Sequence, residues 1–209
     1  MGQESREERL QRIAARVKQA NCAEFEVFVV EEVCGSKMNA GADTRNKKIY
    51  FAEQLVDLMT DDDLAGVLGH EVGHVVNQDG QRISSYQGAR CQEMRGILRD
   101  ANNEMKAEGN GKLRRGFTLA GASALMLGIT VLSSLAFKRH YEQEADDFSV
   151  DAAGNAGYDP AANANALRKL DPKGAESCFT MGTVISTHPA TGARIERIIK
   201  KAAEAKQKK

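Results

Sequence analysis

The chain has 209 residues, which is enough for one domain with a hydrophobic core of its own. Its 29 Lys and Arg residues balance its 29 Asp and Glu residues, and 42% of the chain is hydrophobic. This composition is typical of a globular protein, and the zero net charge excludes an overall field that would recruit nucleic acid. We therefore predict a single domain over residues 1–209 and no nucleic-acid partner.

The N-terminal part of the chain predicts one helix followed by a small sheet. Within residues 1–20, apolar side chains recur on one helical stripe from residue 4 onward. The β-rich segments EFEVFVVEE, residues 24–32, and KKIYFAE, residues 47–53, are separated by turn-prone residues and predict short strands. Cys22 and Cys34 flank the first strand, and they either pair in an oxidising compartment or remain free thiols.

A second helix is predicted to begin near residue 61. Thr60 lies three residues before Asp63, which is the spacing of a capping box. The helix then carries Gly66, Gly69 and Gly73 on one stripe, although each glycine costs a helix about 1 kcal/mol relative to alanine. Such a stripe predicts a helix that is pressed closely against another backbone.

The same helix contains a candidate metal-binding pair. The stretch AGVLGHEVGHVV places His70 and His74 four residues apart, so both imidazoles lie on one face. Zinc is bound by neutral imidazole nitrogens, and Glu71 can reach a metal-bound water without being a ligand itself. Hydrogen-bonded core histidines are the alternative, but each buried imidazole and the buried carboxylate would then need a partner of its own. A zinc ion satisfies all three groups, so we favour a metal site.

A catalytic zinc site requires a third protein ligand, and the later segment KRHYEQEADDFSVD supplies one. Glu142 and Asp146 lie four residues apart on one helical face, so Glu142 can bind the metal while Asp146 orients a histidine. Glu144 and Asp147 point elsewhere, and we expect them to face solvent. The alternative is an ordinary acidic helix surface, which the histidine pair makes the less favoured interpretation.

Between these segments, residues 117–137 form a run without a charge, after a predicted break at GNGKLRRG, residues 109–116. The length of the run permits a membrane span, but its many small and hydroxyl residues also fit a helix or helical hairpin packed on the domain. We favour the packed helix, with one face available to a membrane surface. Residues 200–209 form a basic tail, which we expect to be a solvated helix end.

The motifs HEVGH, EQEADDFSVDAAGNAGYDP and STHPATGARIERI follow one another along the chain. In this order they resemble those of the gluzincin zinc metallopeptidases of the HtpX and CAAX-prenyl-endopeptidase type, in particular the small envelope members. The resemblance covers about residues 36–199. It implies an α+β, mostly helical zincin-like domain with a small N-terminal β-sheet. It also implies one Zn²⁺ per chain, held by His70, His74 and Glu142. Asp146 would then orient one histidine ligand through the second nitrogen of its ring.

The resemblance assigns further residues. The motif HPATGAR contains His188 and Arg194, which it implies to be catalytic donors to the oxyanion. His188 is alternatively a fourth zinc ligand in the resting enzyme. The stretch MNAG resembles the edge strand that binds substrate in this family, so Asn39 and Ala40 are predicted to bind substrate, although Gly41 stands where a bulky residue is usual.

Residues and resemblance together predict a zinc-dependent endopeptidase in which Glu71 is the general base. The expected partners are protein or peptide substrates that are misfolded or belong to the envelope. The alternative is a non-catalytic zinc-fold module for binding or chaperoning, which the intact Glu71 disfavours. The resemblance places the protein in the cell envelope, periplasmic or membrane-associated. A cytoplasmic location is the alternative, because the N-terminal residues MGQESREERL do not form a secretory signal.

Overall fold

Helices dominate the computed structural model, which describes residues 4–107, 112–170 and 192–207. In these residues the elements follow one another as α1 Arg6–Asn21, β1 Glu26–Val30, β2 Ala40–Asp43, β3 Lys48–Ala52, α2 Glu53–Leu58, α3 Asp61–Asn77, α4 Asp79–Ala107, α5 Lys112–Asn155, α6 Ala162–Leu170 and α7 Gly192–Gln207. The predicted α+β class, mostly helical with a small N-terminal sheet, is confirmed.

Contacts between residues divide the chain into two compact units. The first unit combines residues 1–80 with residues 141–209 and contains the sheet, α1 to α3, the end of α5, α6 and α7. The second unit is residues 81–140, which form most of α4 and the first part of α5. The second unit is thus an insertion into the sequence of the first.

The sheet has the strand order β1-β3-β2, with β1 parallel and β2 antiparallel to β3. One face of it is buried in the main core, where Val27, Ile49 and Phe51 pack with the apolar stripe of α1. The outer edge of β1 is covered by side chains of α1, because Gln11 donates to the Val27 carbonyl and the Val29 amide donates to Glu7. Among the described residues β2 pairs with β3 alone, so β2 is the second edge of the sheet.

Both predicted helix starts in the N-terminal half carry a capping box. Ser5 and Glu8 cap α1, and Thr60 and Asp63 cap α3, each pair bonding reciprocally to the other's backbone amide. A cap of this kind stabilises a helix by about 1 kcal/mol. The prediction that the second helix begins near residue 61 is therefore confirmed, and α3 is anchored at its first turn.

Helix α3 is buried from Asp63 to Val75, and its glycines allow other helices to approach it. A Cβ atom at Gly66 would overlap the backbone of Asn163 on α6. A Cβ atom at Gly73 would lie 2.9 Å from the Cα of Ala145 on α5, and Gly69 is also close to α5. The predicted close approach of backbones is confirmed, and it brings α5 and α6 against the helix that carries the histidines.

The charge-free run and the segment carrying Glu142 belong to one continuous helix, α5. The helix begins at Lys112, so the predicted break at residues 109–116 is wrong from residue 112 onward, and the alternative of a helical hairpin in residues 117–137 is wrong as well. In the part of the chain that the structure describes, no helix combines the length and apolar character needed to cross a membrane.

Helix α7 lies against α5 and α6 through an apolar stripe and a row of ion pairs. Ile198 and Ala202 are buried in a small second core with Val150. Lys201 lies 3.0 Å from Asp151. The expectation that residues 200–209 form a solvated helix end is therefore wrong for Lys201, Ala202 and Ala205, which pack on the domain, whereas the other residues from 200 to 207 are exposed as expected.

Candidate metal centre

Helix α3 presents two imidazoles on the same buried face. His70 and His74 are 3% and 5% exposed, and Glu71 between them is 2% exposed. The two Nε2 atoms are 3.1 Å apart, and the rings meet edge to face. This pairing follows from the four-residue spacing, which places side chains of consecutive helical turns above one another.

Glu142 of α5 completes a group of three potential metal ligands. Its carboxylate oxygens lie 3.5 Å from Nε2 of His70 and 3.6 Å from Nε2 of His74. In the described residues, these are the histidine, cysteine and carboxylate side chains that come close enough together to hold a metal ion, with one donor atom each within 4.8 Å of the others. The close approach of α5 at Gly73 is what brings Glu142 to the histidines.

The donor distances test whether zinc fits. Zinc–nitrogen and zinc–oxygen bonds of about 2.0–2.2 Å in a tetrahedron place neighbouring donors about 3.3–3.6 Å apart. The three separations of 3.1, 3.5 and 3.6 Å are close to that range. Each histidine also has a carboxylate at Nδ1, so both Nε2 lone pairs are directed toward the shared position when Nδ1 carries the proton. A cation placed there satisfies both lone pairs, and the three residues therefore fit a zinc ion.

Asp146 is the carboxylate behind His70. It is completely buried, and its Oδ1 lies 3.0 Å from Nδ1 of His70. Arg194 donates to both of its oxygens, at 2.9 and 2.7 Å, and Asn163 donates at 3.3 Å. Burial raises the pKa of the Asp146 carboxyl, but Arg194 and His70 together hold that pKa below its ordinary value. The carboxylate therefore stays ionised.

Arg194 reaches this carboxylate from the first turn of α7 and also contacts a candidate ligand. Its Nη1 lies 3.1 Å from Oε2 of Glu142. Burial lowers the pKa of the guanidinium, but the hydrogen bond to Asp146 and the charges of Asp146, Glu142 and Glu71 raise it above its ordinary value. Arg194 is thus a buried cation among three carboxylates and not a surface charge.

Asp79 is a site residue that the sequence analysis missed. This first residue of α4 is 3% exposed, and its Oδ2 lies 2.7 Å from Nδ1 of His74. The available signal was an acidic residue five positions after the second histidine of HEVGH. Asn163 was missed too, because nothing in the run AANANAL distinguishes a buried polar contact from a helix surface.

The remaining predicted residues are placed as follows. Ala40 is the first residue of β2 and is buried, and the carbonyl of the preceding Asn39 accepts a hydrogen bond from Ala52. His188 lies outside the described residues. Glu144 and Asp147 are half-buried and outside the ligand group, so they are less exposed than expected.

Asp147 departs from that expectation because α7 packs over this side of α5. Its carboxylate pairs with Arg197, and Lys201 lies 3.8 Å away. Cys22 and Cys34, for which a disulfide was one alternative, are not bonded to each other.

Comparisons with known proteins agree with this geometry. A sequence model described as peptidase family M48 matches residues 3–202. A protein named Protease HtpX homolog from Nostoc punctiforme is 26% identical over 217 residues, which covers 91% of this chain and 71% of the relative. Proteins of the same name from Trichormus variabilis and Streptococcus thermophilus are 24% and 30% identical, over 94% and 69% of this chain and 75% and 51% of the relatives. The family match extends over nearly the whole chain, and the chain therefore belongs to peptidase family M48.

Proposed function

We propose that this protein is a zinc-dependent endopeptidase. The observation that carries the proposal is the spacing of donor groups from two buried imidazoles, His70 and His74, and the largely buried carboxylate of Glu142, which is close to the donor separations of tetrahedral zinc. Membership of a peptidase family supports the reaction class. Glu71 supports the mechanism, because a buried carboxylate next to a metal ligand is the arrangement that general-base hydrolysis requires.

The proposed ligands are the two Nε2 atoms and the Glu142 carboxylate. When bound, zinc supplies Lewis-acid chemistry that lowers the pKa of a water molecule toward about 7. The Glu71 carboxylate accepts a proton from the attacking water as the new bond to the peptide carbonyl carbon forms. Glu71 then returns that proton to the amide nitrogen as the C–N bond breaks, so the base is regenerated.

In this proposal Arg194 positions other groups, and its role as a donor to the oxyanion stays a prediction. All three of its side-chain nitrogens already contact Asp146 or Glu142. A planar guanidinium that holds two carboxylates fixes the relative orientation of α5 and α7 at the ligands. For His188, both the oxyanion role and the resting-ligand role stay predictions.

The proposed substrates are extended segments of unfolded or envelope proteins that pair beside β2. The sheet supports this choice of edge, since Gln11 and Glu7 occupy outward-facing backbone groups of β1. A peptide strand that adds to an edge gains main-chain hydrogen bonds without requiring a particular sequence. Asn39 and Ala40 stay the predicted substrate-binding residues at the start of this edge.

A cleavage assay on an unfolded protein such as casein tests the proposal. We expect zinc-loaded wild-type protein to cleave it, a chelator to stop cleavage and added zinc to restore it. Glu71→Gln should keep the zinc and lose at least a hundredfold in rate, because an amide cannot accept the proton. Glu144→Gln is the matched control on α5 and should cleave normally. Full activity in zinc-loaded Glu71→Gln would refute the mechanism, and a zinc-loaded wild-type protein that binds casein without cleaving it would favour a binding module.

A further inference from the structure

The turn that follows the histidine helix delivers a buried carboxylate to one of the candidate ligands. Asp79 lies five residues after His74, and Oδ2 of Asp79 is 2.7 Å from Nδ1 of His74. Both side chains are almost completely buried, at 4% and 7% exposure. A contact this short between buried groups is a charge-assisted hydrogen bond from the imidazole N–H to the carboxylate.

An uninterrupted helix could not make this contact. Five residues correspond to a rotation of about 140° past one full turn, so the side chain at position 79 would point away from His74. The chain instead leaves α3 through Gln78, which has φ 54° and ψ 40° in the left-handed region, with its amide bonded to the carbonyls of His74 and Val75. This one residue interrupts the helical path and turns Asp79 back onto the ring.

The next residue, Gly80, packs closely against a neighbouring turn. A Cβ atom at Gly80 would lie 2.5 Å from Oγ1 of Thr44, in the turn that follows β2. A larger residue at position 80 would require the Thr44 hydroxyl to move, so this contact favours glycine. The conformation of Gln78 and the close contact at Gly80 therefore both constrain the position of Asp79.

We propose that Asp79 is a positioning residue that holds His74 in the orientation and tautomer needed to bind the metal. An acceptor at Nδ1 keeps the proton on that nitrogen and leaves the Nε2 lone pair directed at the metal position, and its negative charge makes the imidazole a stronger ligand. This inference rests on the metal site of the proposed function. Asp79 supports His74 in the same way that Asp146 supports His70. The difference is that Asp79 is positioned by a turn, whereas Asp146 is positioned by a helix.

The experiment measures the zinc dissociation constant by competition with a chromophoric chelator, and the unfolding midpoint of the metal-free protein. We expect Asp79→Ala to weaken zinc binding about 10- to 100-fold. Asp79→Asn keeps an acceptor oxygen but loses the charge, so its affinity should lie between those of wild type and Asp79→Ala. Because asparagine is nearly isosteric, this variant keeps the test decisive if the alanine variant does not fold.

Asp63→Asn is the matched control. Asp63 is a similarly buried, charge-paired aspartate on α3 that bonds Lys169 and Thr60 instead of a histidine. We expect Asp63→Asn to lower the unfolding midpoint and leave zinc affinity within about threefold of wild type. If both aspartate substitutions weakened zinc binding equally, the role of Asp79 would be general stabilisation and the inference would be wrong.

The turn provides a second test without touching the carboxylate. Gln78→Gly suits the left-handed conformation and should preserve zinc affinity, whereas Gln78→Val strains it and should weaken zinc binding through displacement of Asp79. Wild-type protein that binds no zinc would overturn both this inference and the proposed function. Tight zinc binding in the wild type with unchanged affinity in both Asp79 variants would overturn this inference alone.

Discussion

Replacing Gly73 by alanine should weaken the metal site and destabilise the fold only moderately. The new Cβ atom would lie 2.9 Å from the Cα of Ala145, whereas carbon atoms in contact prefer about 3.5–4.0 Å. Helix α5 must therefore retreat by about 0.6–1.1 Å at this point. Glu142 lies three residues earlier on the same helix and moves with it, while metal–ligand distances tolerate about 0.2 Å. We expect zinc affinity to fall at least tenfold, or about 1.4 kcal/mol.

The stability change is the difference of two opposing effects. Alanine improves the helix by about 1 kcal/mol over glycine. Overpacking a well-filled contact costs about 1–3 kcal/mol. The net expectation for Gly73→Ala is a loss of up to about 2 kcal/mol, measured by denaturant unfolding of the metal-free protein. Zinc titration of the same samples measures the separate effect on the site.

Gly88→Ala on α4 is the control for helix propensity. In the part of the chain that the structure describes, a Cβ placed at Gly88 would meet nothing within 4 Å beyond its own helix, so alanine there should stabilise the helix by about 0.5–1 kcal/mol and leave zinc affinity unchanged. Gly73→Ala protein that unfolds at or above the wild-type denaturant concentration and binds zinc normally would refute the close-packing argument.

Two further predictions concern charged groups in the first unit. Burial raises the pKa of Asp63, but hydrogen bonds from Lys169 and the capping residue hold it below its ordinary value, so the pair stabilises the fold above about pH 4 and this contribution is lost as pH falls further. Lys169→Met should therefore lower stability at pH 7 by about 1–3 kcal/mol, with the difference from wild type disappearing in acid unfolding curves near pH 2. Arg194→Met should destabilise the protein by about 3–5 kcal/mol, because it leaves Asp146 and Glu142 buried without their cation. Arg194→Lys should rescue only part of that loss in thermal unfolding, since lysine cannot bond both carboxylates in the planar geometry of arginine, and full rescue would contradict the proposed orienting role.

The local features of the site could be predicted because they depend on regular helix geometry. The four-residue spacing of His70 and His74 places them on one face in any α-helix, and the capping box defines where that helix begins. The glycine stripe also depends on regular helix geometry, because residues at this spacing share one face. It predicted close packing, since three glycines in a buried helix are otherwise unfavourable.

The parts that sequence reasoning missed depend on contacts that have no local signal. Asp79 reaches His74 only because Gln78 is left-handed, and glutamine does not mark that conformation as glycine or asparagine would. Arg194 lies 48 residues from Asp146, so its ion pair appears only when α7 packs on α5. The start of α5 at Lys112 was missed because the helix tolerates Gly116 at a modest cost.

The most direct test of the proposed metal centre is the zinc content of two variants on the same helix. Glu142 lies within 3.6 Å of both imidazoles, whereas Glu144 is two residues further along α5 and outside the ligand group. We expect one zinc ion per chain in the wild type and in Glu144→Ala, measured by elemental analysis after gel filtration, and almost none in Glu142→Ala. Zinc retained by Glu142→Ala but lost from Glu144→Ala, or a wild-type protein that holds no zinc, would contradict the account.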